Sequence, residues 1–565
     1  MNYFSRITSI IALTVATCSL HSCNNNASKT DTATVSTESP RIINIINFIR
    51  QTDYRVEGAD SLLFDATTKQ VAQLKKHQLP GTFLLQYDAL INPKYQDLLK
   101  NELDATSEIG AWWEITQPHC EAAGITWRGQ HRWVSTANIA FTTGYTPEER
   151  EKLVDVYMEK FNSIFGYYPQ SAGSWFIDSH SLNYMYEKYN IVASSNCKDQ
   201  VGTDGYTLWG GYWNQAYYPS KSNAYMPAQT KENQIPVPIF RMLGSDPIYQ
   251  YDMGVGTSRQ GVISLEPVYP DGGKDRRWTE YFLNSIVEQP SLAFNYAQAG
   301  QENSFTWEGM KDGLEMQIPI FDSLRNEGKI RIETLAQSGK WFKENFELTP
   351  ATAVTALEDY RDEGNKSIWY NSRFYRANLY WHGKSFRFRD IHLFDERVAS
   401  PYLKAPGTGG QFFYFTLPLV DGYFWSTEND LAGLKLMSKA KDGSAEELLL
   451  SDPVVKNASS DVLEIVSNDQ HNNSFTITLN PDHIQVSCKP SKGESDWYLA
   501  LHVPAEKKSE LPFKELGKSM IKANFRDYDY RVNLKEGAIL KGGPLSSHIF
   551  QILPNKNSIN ISTAY

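Results

Sequence analysis

Residues 41–345 alternate short apolar runs with longer amphipathic segments, and residues 346–565 do not; this change of rhythm limits the fold more than any other feature of the chain. Runs at 42–50, 82–86, 109–115, 172–177, 191–195, 238–242, 292–298 and 329–335 read as strands separated by helices. Thr146-Pro-Glu-Glu149 is a helix start, with Thr146 as N-cap, Pro147 in the first turn and Glu149 closing a capping box, and the helix should run to about Phe165. The pattern predicts an α/β fold, a distorted β/α barrel of seven or eight strands over 41–345. From 346 on, short β-rich runs take over, which predicts a C-terminal all-β domain of sandwich type.

The N-terminus belongs to targeting. Residues 1–22 hold one basic side chain, Arg6, and an apolar stretch over 7–15 too short to span a bilayer, followed by Leu20-His-Ser-Cys23. This reads as a lipoprotein signal with Cys23 as the lipidated first residue, and the polar residues 23–40 as a disordered tether. The folded part would then hang from a membrane of the cell envelope. Of five cysteines, Cys120, Cys197 and Cys488 remain beyond the signal region, and Cys120 with Cys197 is a possible disulfide. A net charge of -10 without a long basic run argues against a nucleic-acid partner.

Two segments carry the chemistry. Glu108-Ile-Gly-Ala-Trp-Trp-Glu-Ile-Thr-Gln-Pro-His119 and Gly173-Ser-Trp-Phe-Ile-Asp-Ser-His180 each read as a buried strand ending at an acid beside aromatics and a histidine. Flat rings cover the apolar face of a pyranose and carboxylates act on its glycosidic bond, so carbohydrate is the expected partner. Asp178 is the first catalytic candidate, with helix N-capping as its competing role. Glu114 is the second, beside Trp113 and close to His119; indoles at a carboxyl favour a raised pKa, unless only Trp112 shares its face. Asp53 follows the first strand, where Arg50 and Arg55 offer an ordinary salt bridge instead. Glu302 and Gln298 end a later strand in Phe294-Asn-Tyr-Ala-Gln-Ala-Gly-Gln-Glu-Asn303, and Glu266 lies in Ser264-Leu-Glu-Pro267. Trp175 and His180 flank Asp178 as binding candidates. The long segment 196–234 adds Asp204 and Trp209 as binding residues, or serves as a lid.

With these residues in place, the chain resembles the glycoside hydrolase and polysaccharide deacetylase superfamily, and within it a group of Bacteroidetes lipoproteins. The resemblance implies a nucleophile at Asp178 and an acid/base at Glu114 or Glu302. It also implies, for a deacetylase, an Asp-Asp pair and a His-x-x-x-His metal motif; this chain has Thr52-Asp53 and no such histidine spacing. The expectation is therefore a glycosidase with paired carboxylates and no metal or other cofactor. A metal-dependent deacetylase and a carbohydrate-binding lipoprotein without catalysis are the alternatives.

Overall fold

Parallel strands covered on both faces read as predominantly apolar runs, and β1 (Arg41–Ile49, RIINIINFI) is the longest of them. The computed structural model describes residues 39–440, 444–493, 495–542 and 548–564. The expected signal, the Cys23 anchor and nearly all of the tether lie outside the described residues.

Ten further strands follow in this part of the chain: β2 (Thr82–Leu85), β3 (Glu108–Trp112), β4 (Ser171–Gly173), β5 (Ala193–Asn196), β6 (Gln200–Thr203), β7 (Tyr206–Trp209), β8 (Ala216–Tyr217), β9 (Ile239–Arg241), β10 (Asn295–Ala299) and β11 (Arg331–Glu333). Nine of the eleven make one sheet in the order β10-β1-β2-β3-β4-β5-β9-β8, with β11 also beside β1. Neighbours are parallel except β8, which runs antiparallel to β9. The sheet curls into a nearly closed barrel, and side-chain amides bridge its gap. Gln215 Nε2 donates to Asn295 Oδ1 at 2.9 Å, and Gln298 Oε1 accepts from Leu243 N at 2.7 Å.

The period-2 alternation of β1 divides the core. Ile42, Ile46 and Phe48 fill the barrel interior with Leu84, Trp112, Phe240 and Tyr296, while Ile43, Ile45 and Ile49 pack outward under the helices. The same parity turns Arg50 inward at the strand's C-terminal end. The helix Pro147–Phe165 carries the expected capping box, with Thr146 Oγ1 accepting from Glu149 N and Glu149 returning to Thr146 N. Cys120 and Cys197 are free buried thiols, not a disulfide. Cys120 packs in the outer layer and Cys197 in the barrel interior, so the sheet wall stands between them.

One strand is shorter than its apolar run suggests. β4 ends at Gly173, and Ser174 turns the chain out of the sheet with its N–H on Ser195 O and its hydroxyl on Trp113 O. Trp175, Phe176 and Ile177 are therefore irregular, and Asp178 arrives at the start of the helix Ser179–Tyr189 instead of on the barrel rim.

Beyond the helix Leu335–Asn345 two antiparallel sheets of ten and eight strands take over. Leu379, Trp381 and Leu499 of one meet Ile477, Val486 and Ile561 of the other in a common sandwich core. The smaller sheet alternates buried and half-buried positions, as in Ser474–Asn480, because one face is wet. The larger sheet is buried on both faces, its second face lying against the barrel part, where Trp369 stacks on Trp213 at 3.7 Å and 2°. The strand Phe412–Phe415 pairs in parallel with β7, so the long segment after β5 is held by chain from the C-terminal part. From Ser39 onward the chain is one compact unit.

Candidate active site

Chain that leaves the C-terminal ends of the barrel strands builds a cavity of about 350 Å³. Arg50 follows β1, Glu114 follows β3, Trp175 follows β4, Leu243 follows β9 and Glu302 follows β10. Asp53, Arg55, Trp133, Gln200, Asp204, Tyr206, Glu266 and Tyr269 complete most of the wall, and the lining ends at Phe305. The strand Phe412–Phe415, which joins β7 and β6 in a separate three-stranded sheet, supports this part of the wall without lining it.

Arg50 organises the floor. Its Nε and Nη2 hold Glu114 in a bidentate pair at 2.9 and 2.7 Å, its Nη1 stands 3.0 Å from Glu302 Oε2 and 3.4 Å from Asp53 Oδ2, and its guanidinium lies on the Trp133 ring at 4.1 Å. Reciprocal bonds tie the two strand ends that bring Arg50 and Glu302 together: Arg50 N donates to Asn303 Oδ1 at 2.9 Å and Asn303 Nδ2 to Arg50 O at 2.7 Å. Gly300 makes that approach possible. Its φ is +92°, and a Cβ would collide with the Ile46 carbonyl.

The carboxyls of this cavity differ in charge state. Burial pushes Glu302 up to about 7, an effect that Arg50 and the Ser304 hydroxyl only partly offset. Ser304 Oγ donates to Glu302 Oε1 at 2.6 Å, and no described residue hydrogen-bonds Oε2. Burial also raises Glu266, against the opposing charge of Lys198; Glu266 accepts from the neutral groups Ser264 Oγ at 2.7 Å and Gln301 Nε2 at 3.1 Å. For Asp53, burial is outweighed by the Arg55 hydrogen bonds and the Arg50 charge, which hold it below the usual carboxylate range. Arg55 grips it at 2.9 and 2.6 Å and also faces Asp204 at 3.6 Å. The salt-bridge alternative for Asp53 is thus realised. Glu114, fully occupied by Arg50 and by Gln86 Nε2 at 2.9 Å, is a buried ion-pair partner and not a free acid.

Five expected candidates, Asp53, Glu114, Glu266, Glu302 and Asp204, converge here with Trp175. The others do not. Asp178 is buried at its helix N-cap, where Oδ1 accepts from Ser181 N at 2.9 Å and Arg150 Nη1 at 3.1 Å, and Oδ2 from Thr142 Oγ1 at 2.6 Å and Ser181 Oγ at 2.7 Å. Despite burial, Arg150 and these donors keep it below the usual carboxylate range. All its acceptor directions point into the scaffold, so the nucleophile assignment gives way to the capping role. Asp178→Asn should therefore lower the thermal midpoint by several degrees, because Arg150 loses a buried partner, and leave kcat/KM of the folded fraction within about threefold. A thousandfold loss at unchanged stability would reinstate the nucleophile.

Trp113 faces outward with Nε1 on Thr142 Oγ1 at 3.3 Å. His119 is buried against Tyr87 with Nε2 on Leu153 O at 2.8 Å, and burial lowers its pKa to about 4. His180 faces Glu151 at 3.1 Å on a helix, Trp209 donates to Asp421 Oδ2 at 3.1 Å in the contact with the sandwich, and Gln298 is the barrel strut described above. Arg50, Trp133, Tyr206 and Tyr269 were not singled out for the site. Only the strand parity that places Arg50 inward was legible. The donor set also does not fit a metal ion: among the described residues no group of three or more His, Cys, Asp or Glu is arranged to hold one, and the three clustered carboxylates already face a guanidinium.

Residues 137–348 match the family model DUF3863, described as a domain of unknown function with a solved structure. Comparison with curated proteins found no match. Among solved structures, one from Parabacteroides distasonis, provisionally assigned as a glycoside hydrolase/deacetylase, is similar at 15% identity over 67% of this chain and 91% of its own, with a TM-score of 0.49. One from Mycobacterium smegmatis, provisionally assigned as a polysaccharide deacetylase, is 12% identical over 56% and 94%, TM-score 0.36. Another from Pseudomonas aeruginosa PAO1, with the same provisional assignment, is 10% identical over 55% and 93%, TM-score 0.33. Likenesses this distant carry no functional argument, and the reading of the site rests on its own geometry.

Proposed function

We propose that this chain is a carbohydrate-acting hydrolase that cleaves glycosidic bonds, with Glu302 as the proton donor and Glu266 as the second carboxyl. The observation that carries the reading is Glu302, raised to about 7 in a cavity walled by Trp133, Trp175, Tyr206 and Tyr269. A carboxyl near that value is protonated often enough at neutral pH to give its proton to a leaving sugar oxygen. Glu266 is the remaining lining acid that no cation grips directly, since Asp53, Glu114 and Asp204 all face arginines. Its carboxylate serves to take the proton of the attacking water or to attack the sugar carbon itself. Arg50 acts behind the reacting groups, holding Glu302 and Glu114 in place.

The test is to incubate the full chain with a panel of soluble polysaccharides and follow both new reducing ends and free acetate. New reducing ends without acetate are expected. Acetate without reducing ends would favour a deacetylase, and binding without either product a carbohydrate-binding protein. We further propose, from the box ending in Cys23, that the mature chain is lipid-anchored in the cell envelope. Cys23→Ala should then leave the membrane fraction, and unchanged membrane association would refute the anchor.

A further inference from the structure

The geometry points to an aromatic track on the cavity rim that binds further units of a saccharide chain, so that the substrate is an oligo- or polysaccharide extending beyond the unit held in the cavity. This inference rests on the hydrolase reading above. Few large apolar side chains among the described residues are exposed, and two of these are aromatics at this mouth: Tyr54, between the lining residues Asp53 and Arg55, is 46% exposed and Phe305, itself in the lining, 37%.

Tyr54 follows Asp53 directly, and its ring lies parallel to that of the exposed His131 at 4.8 Å and 3°. Its hydroxyl meets Ser135 Oγ at 3.2 Å, which fixes the ring's orientation. Trp133, at 6.1 Å from Tyr54, continues the series inward and ends on the guanidiniums of Arg50 and Arg55 at 4.1 and 5.0 Å. His131, Tyr54 and Trp133 thus lead from solvent to the cavity floor. Phe305 stands elsewhere on the same lining, 6.4 Å from Tyr269. The next residue, Thr306, has φ 60° and ψ 163°, a conformation costly for a β-branched side chain. Leu243, also lining, has φ 75°. Strain of this kind persists where the surroundings impose it, and here it accompanies a phenyl ring that gains little from packing.

The chemistry of the rim selects the occupant. The lining sets these rings among Arg55, Asp204, Ser135 and Arg259, so flat apolar faces share the surface with charged and hydroxyl groups. A pyranose chain has the same mixture of C–H faces and hydroxyls. A lipid surface or an apolar protein face would call for a continuous patch.

The test uses the full chain carrying Glu302→Gln, in which turnover is strongly slowed, in affinity electrophoresis through gels containing xylan, mixed-linkage β-glucan, mannan, pectin or chitosan. The polysaccharide that retards it is then cut to fragments of one to six units for titration. Affinity should rise with fragment length. Adding Tyr54→Ala or Phe305→Ala should weaken polysaccharide binding roughly five- to tenfold each and flatten the length dependence. Tyr54→Trp and Phe305→Tyr, which keep a flat ring, should retain it, and that separates a lost platform from a misfolded variant. Unchanged retardation in both alanine variants would overturn the track and leave the hydrolase reading standing. No retardation of the parent by any of the five polymers would overturn both.

Discussion

Glu302→Gln is expected to lower kcat/KM by about 10²–10⁴-fold and to stabilise the protein at alkaline pH. The first effect follows because an amide of the same shape has no proton to donate. The second follows from linkage. Burial raises the Glu302 carboxyl to about 7 in the folded chain, above the ordinary glutamic acid value it takes when unfolded. Between those two values the folded state binds the proton and the unfolded state does not, so stability falls as pH rises through this window. The full loss amounts to about 3 kcal/mol once pH exceeds the folded value. Glutamine does not titrate, so the variant lacks this component. Other buried acids, Glu266 and Asp246 among them, slope the same way, and the readout is therefore the difference between wild type and variant in urea midpoint at pH 5 and pH 8. Parallel pH dependences would mean that Glu302 is ionised throughout and is no proton donor.

Arg50→Met should be among the most destabilising single changes in the chain. It leaves Glu114, Glu302 and Asp53 facing one another in the barrel mouth without the guanidinium they share. Breaking a buried ion pair from one side costs about 3–5 kcal/mol, and Glu114 is the carboxyl that loses most, two charged hydrogen bonds. Arg50→Lys should fall between wild type and methionine, since one ammonium cannot hold Glu114 through two bonds and reach Glu302 as well. The double variant Arg50→Met/Glu114→Gln should regain part of the loss, and the coupling read from the cycle is the direct measure of the pair. If Arg50→Met shifts the urea midpoint no more than an ordinary surface substitution does, the Arg50 ion pairs do not hold the barrel mouth as described.

Local signals in the chain carried a great deal of the architecture. The capping box at Thr146 and Glu149 placed a helix end without reference to the rest of the molecule, because both partners lie within one turn. Predominantly apolar runs marked β1 and β2, since a strand covered on both faces has little polar side to show. The shift from helix-separated runs to alternating short ones likewise distinguished the barrel from the sandwich. Motif neighbourhoods also brought Asp53, Glu114 and Glu302 forward as acids near strand ends, and Asp204 as a binding residue of the long segment 196–234.

Tertiary structure alone decided what those acids became. Asp53 and Glu114 are separated by sixty-one positions of chain and Glu302 by nearly two hundred more, and closing the barrel is what sets all three around Arg50. How far a guanidinium offsets the burial of a carboxyl depends on that closure: Arg50 holds Glu114 through two hydrogen bonds, while Glu302, 3.0 Å from the same guanidinium, remains an acid near neutrality. Asp178 shows the converse. An apolar run up to Ile177 reads as strand, but the backbone bonds of Ser174 end β4 at Gly173, and three irregular residues carry the acid to a helix cap. Periodicity reports which side of an element is buried; the convergence of polar groups from distant elements is a property of how those elements are joined in space.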